Sequence, residues 1–422
     1  MTRSTRLAAA GAVALALLGT GAVPAAARPG NTARHFSAGA ASFVGADTVA
    51  ERVARLESVA PELPQETTAY GAKTVWNNGI TGDGSTVATV VSFGDSQVRQ
   101  VLDDYSRKHG LPPADVDVLS PSGPVPACTD PGVDKEACES WRGETDLDVT
   151  MIHAMAPSAK IVVAATPVAE TEGFTGLPEM MHAVDYLTEH RIADVVSFSF
   201  GTTEENFPSL DSIKTLDPAL RRANRSGVSL VASSGDDGAT SPAPGNQGDY
   251  PFRAASWPAA DPFVTSVGGT SLSLDENGKR TKPDELIDFS GGGFSKVYKR
   301  PAWQNRVADI TGSPMRSFPD ITMKGEEGTS QSAPLFAGSL ALAVQAAGHR
   351  LGQINPALYR LGAQGTKAGI VDVTKGANDY AGVPGFRAGP GFDVASGWGT
   401  PDLATFVPAL SGTSLTGEKM AP

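Results

Sequence analysis

Five short runs of β-branched and small apolar residues set the strongest limit on what this chain can fold into. They are STVATVVSF (85–93), AKIVVAAT (159–166), ADVVSFSFG (193–201), VSLVASSGD (228–236) and FVTSVGGTSL (263–272). Segments of helical period lie along the same stretch: QVRQVLDDYSRKHG, ETDLDVTMIHAMA, LPEMMHAVDYLTEH and PALRRANRSG. Strands this apolar cannot leave a face open to water. The alternation therefore predicts an α/β fold, with a mostly parallel central sheet and helices on both faces. Functional residues in such folds gather beyond the carboxyl ends of the strands. The Gly- and Pro-rich stretch SSGDDGATSPAPGNQGD opens at one of those ends.

The first residues point to export. Arg3 and Arg6 precede a small and apolar run from Leu7 to Val23, and Ala25-Ala26-Ala27 offers a cleavage site, so residues 1–27 read as a secretory signal peptide. No other run approaches the length of a membrane span, so neither a membrane nor its lipids are expected as a partner. Loss of the two arginines moves the formal charge from −12 to −14, a balance that repels nucleic acid. In an oxidising compartment Cys128 and Cys138, ten residues apart in PACTDPGVDKEACES, are expected to form a local disulfide rather than a metal site.

One serine stands out. GTSQSAP (328–334) leads directly into LFAGSLALAVQAAG, which places the Ser330 hydroxyl at the positive end of a helix dipole. The GTS tripeptide also occurs at Ser271, before a turn, and at Ser414, in a polar tail with nothing to hold it. Taken alone, Ser330 is either a nucleophile or an N-cap. A nucleophile needs a base, and the six histidines offer none. His35 is in the polar N-terminal stretch, and His109, His182, His190 and His349 fall at or near helix ends. His153 shares a helix with Glu144 and Asp148, but at about 100° per residue it faces away from Glu144. Glu144 and Asp148, four apart and so on one face, are the better candidates, with Asp146 as a third acid. Like charges at that spacing disfavour a helix, so something else must favour them.

Glu144 and Asp148 in GETDLD, Asp236 in SSGDDG and Ser330 in EGTSQSAP resemble the sedolisin family of serine-carboxyl peptidases. The likeness runs from about Tyr70 to Leu403, through SFSFG (197–201), SWPAADPFVTSVGGTS (256–271), GGGFSKVYKRPAWQ (291–304) and FPDIT (318–322). It implies a subtilisin-like fold, with Ser330 as nucleophile, Glu144 as base, Asp148 as its orienting partner and Asp236 as a protonated oxyanion donor. It also implies one structural Ca²⁺, held by the carboxylates of Asp372 and Asp393 and the carbonyls of Val373, Gly389 and Gly391. All-oxygen donors of that kind suit the ion. The expected protein is a secreted monomeric endopeptidase acting on proteins or peptides at acid pH. The alternatives are a tripeptidyl-peptidase of the same family and an inactive binding protein on this scaffold.

The expected domain plan is a signal over 1–27, a short N-terminal segment over 28–69 in place of a full-length prodomain, a peptidase domain over 70–410 and a polar tail over 411–422. The N-terminal segment is small and polar to residue 47. Thr48 to Glu51 then resembles a capping box, opening a short helix with Val49, Val53 and Leu56 on one face.

Overall fold

A computed structural model of the chain describes residue 45 and residues 48–60, 63–169, 176–244 and 248–420. The expected signal peptide and nearly all of the polar stretch 28–47 lie outside these residues. Strands β1 (Thr86–Ser92), β2 (Asp115–Leu119), β3 (Lys160–Thr166), β4 (Val195–Phe198), β5 (Ser229–Ser233) and β6 (Thr265–Ser271) follow in chain order. β7 (Gly293–Lys299) and β8 (Met315–Phe318) form a separate antiparallel ribbon, and β9 (Ile321–Lys324) rejoins the main sheet. That sheet runs β9-β6-β5-β4-β1-β3-β2. Every neighbouring pair along it is parallel, and Glu285–Leu286 adds a short antiparallel edge to β6.

All five anticipated strands form, each shorter than its apolar run. β2 and β9 were not anticipated. DVDVL is a half-exposed edge, and ITMK is only four residues long. β1 lies in the middle, with β3 and β2 to one side and β4, β5, β6 and β9 to the other. The order therefore reverses at β1, where a crevice is expected beyond the strand ends.

The helices that matter for the site are α1 (Val49–Val59), α2 (Leu63–Ala69), α3 (Val98–His109), α4 (Lys135–Met155), α5 (Leu177–Glu189), α6 (Asp217–Arg225) and α7 (Thr329–Ala347). α1 starts at the expected capping box, with Thr48 accepting from the Glu51 N–H. Its Val53 and Leu56, and Leu63 of α2, enter the same hydrophobic core as the strands. The described part of the N-terminal segment is thus packed into the main body. α4 begins at Lys135, well before the acids that marked it in the sequence, because Asp134 caps it by accepting from the Ala137 N–H at 3.1 Å. Cys128 and Cys138 are bridged. The chain after Ser411 is not loose: Thr413 pairs with Lys419, the Ser414 N–H donates to the Glu418 carbonyl at 2.7 Å, and Leu415 packs on the core.

Buried acids outside α4 fasten β7 to the body. The Ser295 hydroxyl donates to Glu204 Oε1 at 2.5 Å and the Lys296 N–H to Glu204 Oε2 at 2.7 Å. Tyr298 Oη donates to Asp217 Oδ1 at 2.6 Å, beside the fully buried Asp261. Burial pushes the Glu204 carboxyl up to about 7. Burial, then the neighbouring Asp217 carboxylate, pushes Asp261 up to about 8. A carboxyl raised by folding holds its proton more tightly folded than unfolded. Its contribution is complete below the unfolded value near 4 and is lost as pH climbs through the folded value. The melting temperature is therefore expected to drop by on the order of 10 °C between pH 4 and pH 8. Melting curves of Glu204→Gln and Asp261→Asn across that range should be flatter than the parent's.

Candidate active site

Helix α4 is buried all round from Gly143 to Met155. An acid on such a helix loses its water and needs donors or a cation instead. Asp148 has donors. The Ser199 hydroxyl, just past β4, donates to its Oδ1 at 2.7 Å, and the Thr89 hydroxyl of β1 donates to its Oδ2. Glu144, one turn earlier, shares that face and is fully buried too.

Ser330 sits in the first turn of α7, also fully buried. It is not the N-cap. That position belongs to Gly328, whose φ of 109° suits a residue without a side chain. Ser330 is therefore the second residue of the helix, and the capping alternative is set aside. Its hydroxyl lies 3.5 Å from the Ser199 carbonyl oxygen, and the Ser199 hydroxyl lies 3.5 Å from the Ser330 carbonyl oxygen. Ser199 thus joins the carboxylate of α4 to the start of α7. No role was assigned to Ser199 from the sequence, although SFSFG was part of the likeness.

The two helices touch closely. A Cβ at Gly338 of α7 would lie 2.8 Å from the Met155 Cβ and 3.0 Å from the Ile152 carbonyl oxygen on α4.

Asp236 follows β5 in a Gly-rich loop. Its Oδ1 accepts from the Thr329 N–H at 2.7 Å and from the Thr329 hydroxyl at 2.8 Å. The Gly235 N–H donates to that hydroxyl at 3.1 Å. Asp236 is thereby fastened to the residue before Ser330.

The histidine excluded by helical geometry lies elsewhere. His153 is buried with Nε2 3.0 Å from the Pro112 carbonyl oxygen, and burial pushes its pKa down. Ser271 ends β6 and Ser414 sits in the C-terminal hairpin, so neither opens a helix as Ser330 does.

The candidate cation ligands converge as two loops. The Gly391 N–H donates to Asp372 Oδ2 at 2.7 Å, and the Gly389 N–H donates to Asp393 Oδ2 at 2.9 Å. Asp393 Oδ1 accepts from the Ala395 and Ser396 N–H groups at 2.9 and 2.8 Å. The Ser396 hydroxyl, which also lies against Asp393, is 3.3 Å from the Val373 carbonyl oxygen. Among the described residues no group of three or more His, Cys, Asp or Glu side chains is arranged to hold a metal. An ion here would depend on two carboxylates and backbone carbonyls. That set is hard and all-oxygen, so it fits Ca²⁺ better than a transition metal.

The subtilase family model matches residues 134–360, more than half of the chain. Kumamolisin of Bacillus sp. (strain MN-32) is 30% identical over 380 residues, covering 82% of this chain and 64% of kumamolisin. Tripeptidyl-peptidase 1 of Bos taurus is 33% identical over 262 residues, covering 53% of this chain and 44% of that protein. The chain thus spans less than two thirds of the length of these relatives. The solved structure of Pseudomonas sedolisin, a serine-carboxyl proteinase complexed with two molecules of pseudo-iodotyrostatin, superposes with a TM-score of 0.70 at 24% identity. The superposition covers 82% of this chain and 96% of that one, and it bears out the expected subtilisin-like fold.

Removing the Ser199 hydroxyl takes one hydroxyl donor from Asp148. Ser199→Ala is expected to cost about 1.5–3 kcal/mol of stability, the usual worth of a hydrogen bond to a charged group. Urea unfolding of the variant beside the parent checks this.

Proposed function

This chain belongs to the subtilase family, with sedolisin-type relatives, and on that premise we propose that it is a serine-carboxyl peptidase working at acid pH. The observation that carries the reading is the Ser199 link, which ties the Asp148 carboxylate to the helix turn bearing Ser330. That is an acid-to-serine arrangement, and His153, the histidine that shares α4 with Asp148, is held instead by the Pro112 carbonyl.

Ser330 Oγ attacks the scissile carbonyl, and Glu144 accepts the hydroxyl proton as the C–O bond forms. Asp148, held by Ser199 and Thr89, fixes the neighbouring carboxyl. Asp236, in its protonated form, donates to the oxyanion of the tetrahedral intermediate. Glu144 then returns the proton to the leaving amine, the C–N bond breaks, and water hydrolyses the acyl-enzyme by the reverse sequence. The acid optimum follows from the base. A carboxyl with an ordinary value near 4 is part-ionised where an imidazole, near 6.5, is fully protonated and useless as a base.

We assign an endopeptidase mode on protein or peptide substrates, with export from the cell as the sequence suggests. Among the described residues no helix is long and apolar enough to cross a membrane. Tripeptide release is the competing mode, since tripeptidyl-peptidase 1 is among the relatives. Digestion of a denatured protein at pH 4, with fragment lengths read by mass spectrometry, separates the two. Asp372, Asp393 and the carbonyls of Val373, Gly389 and Gly391 would hold Ca²⁺, which would supply charge to bind the two late loops together.

Activity should peak at roughly pH 3–5 and disappear in Ser330→Ala and Glu144→Ala, with most of it kept in His153→Ala. A maximum above pH 7, or a dead but folded His153→Ala, would assign the base to another group. Saturating EDTA should lower the melting temperature; an unchanged melt would remove the ion from this site.

A further inference from the structure

Asp146 is the acid that the proposed mechanism leaves unused. It follows Glu144 by two residues, so it lies roughly 200° around α4 from the catalytic face. It is fully buried and meets a cation there. Arg52 of α1 donates from Nε to Asp146 Oδ2 and from Nη2 to Asp146 Oδ1, both at 2.7 Å. The same guanidinium donates from Nη1 to Asp95 Oδ1 at 3.2 Å, and its Nη2 also pairs with Asp95 Oδ2. Gln97 Oε1, at 3.4 Å, accepts a further contact. Arg52 is 1% exposed and Asp95 5%.

Asp95 stands three residues beyond β1, at the reversal of strand order. One side chain from the N-terminal segment therefore pins the back of the catalytic helix to the end of the central strand. A planar fork is the group suited to hold two carboxylates in fixed directions.

The same segment grips the other catalytic element. Glu66 of α2 pairs with the buried Lys324 Nζ at the end of β9, six residues before Ser330. The Lys324 N–H donates to Tyr70 Oη at 2.6 Å. Nearer the start, the Gly45 N–H donates to Glu139 Oε2 of α4 at 3.2 Å.

We propose that Arg52 is a positioning residue for Glu144 and Asp148, and that α1 and α2 are a resident strap of the active enzyme rather than a removable pro-piece. The role rests on the proposed serine-carboxyl chemistry. Cleavage after residue 52 would leave Asp146 and Asp95 together in the interior without the guanidinium that bridges them. Loss of the fork would free α4 to turn, moving Glu144 and Asp148 on its opposite face relative to Ser330.

The test begins with the parent chain, incubated at pH 4 and assayed on a peptide substrate, with active sites counted by a peptide-aldehyde inhibitor. Intact mass of the active species should show that residue 52 is retained. Per active site, Arg52→Met should lose at least about tenfold in kcat with KM within about twofold, and Arg52→Lys should fall between variant and parent. Active enzyme beginning after residue 52, or Arg52→Met with parental kcat, overturns the role. If Arg52→Met does not fold, the parent's mass and Arg52→Lys decide: reduced kcat at unchanged KM and melting temperature supports the role, and parental kcat overturns it. A parent that cleaves nothing between pH 3 and 8 removes the proposed function and this role with it, whereas an active parent beside an equally active Arg52→Met removes only the role.

Discussion

Three acids at alternate positions of one buried helix impose the governing constraint on this molecule. Glu144, Asp146 and Asp148 are all fully buried on α4. A carboxylate without water is costly unless something replaces the water. Asp148 is met by two hydroxyls, from β1 and from just beyond β4. Asp146 is met by a guanidinium from α1. Those partners come from three separate parts of the chain, so the helix can keep its acids only in the finished fold. Burial pulls the Asp146 carboxyl upward, and the paired Arg52 guanidinium opposes it. The acids around β7, which lack such a cation bridge among the described residues, are pushed up by their burial.

The architecture was legible because its signals are local. Each of the five apolar runs became a parallel strand, and the Gly-Thr-Ser turn did open a helix. Glu144 and Asp148 could be placed on one face by counting residues, and the same counting put His153 elsewhere, where Pro112 now holds it. The supporting partners were not legible. Ser199 reaches Asp148 across 51 positions, and Arg52 reaches Asp146 across 94. A serine just past a strand and an arginine in a short amphipathic helix carry no mark of such partners. Ser330 as a cap was a reasonable local reading, displaced by a glycine two residues earlier whose conformation the sequence alone does not reveal.

The N-terminal region shows the same limit at a larger scale. Read as composition, residues 28–69 resemble a short leader ahead of the real domain. In the fold, the described part contributes to the core through Val53, Leu56 and Leu63, and its ion pairs reach α4 and β9, the strand that precedes α7. Where a domain starts is thus a matter of what its side chains bury, which length and polarity do not report.

Gly338 has a consequence of its own. Because a hydrogen atom fills the gap between α7 and α4 there, the spacing of the two helices is already at its minimum and any replacement can only widen it. Sequence variation is then better accommodated in the loops at the strand ends, with this seam kept fixed while they change.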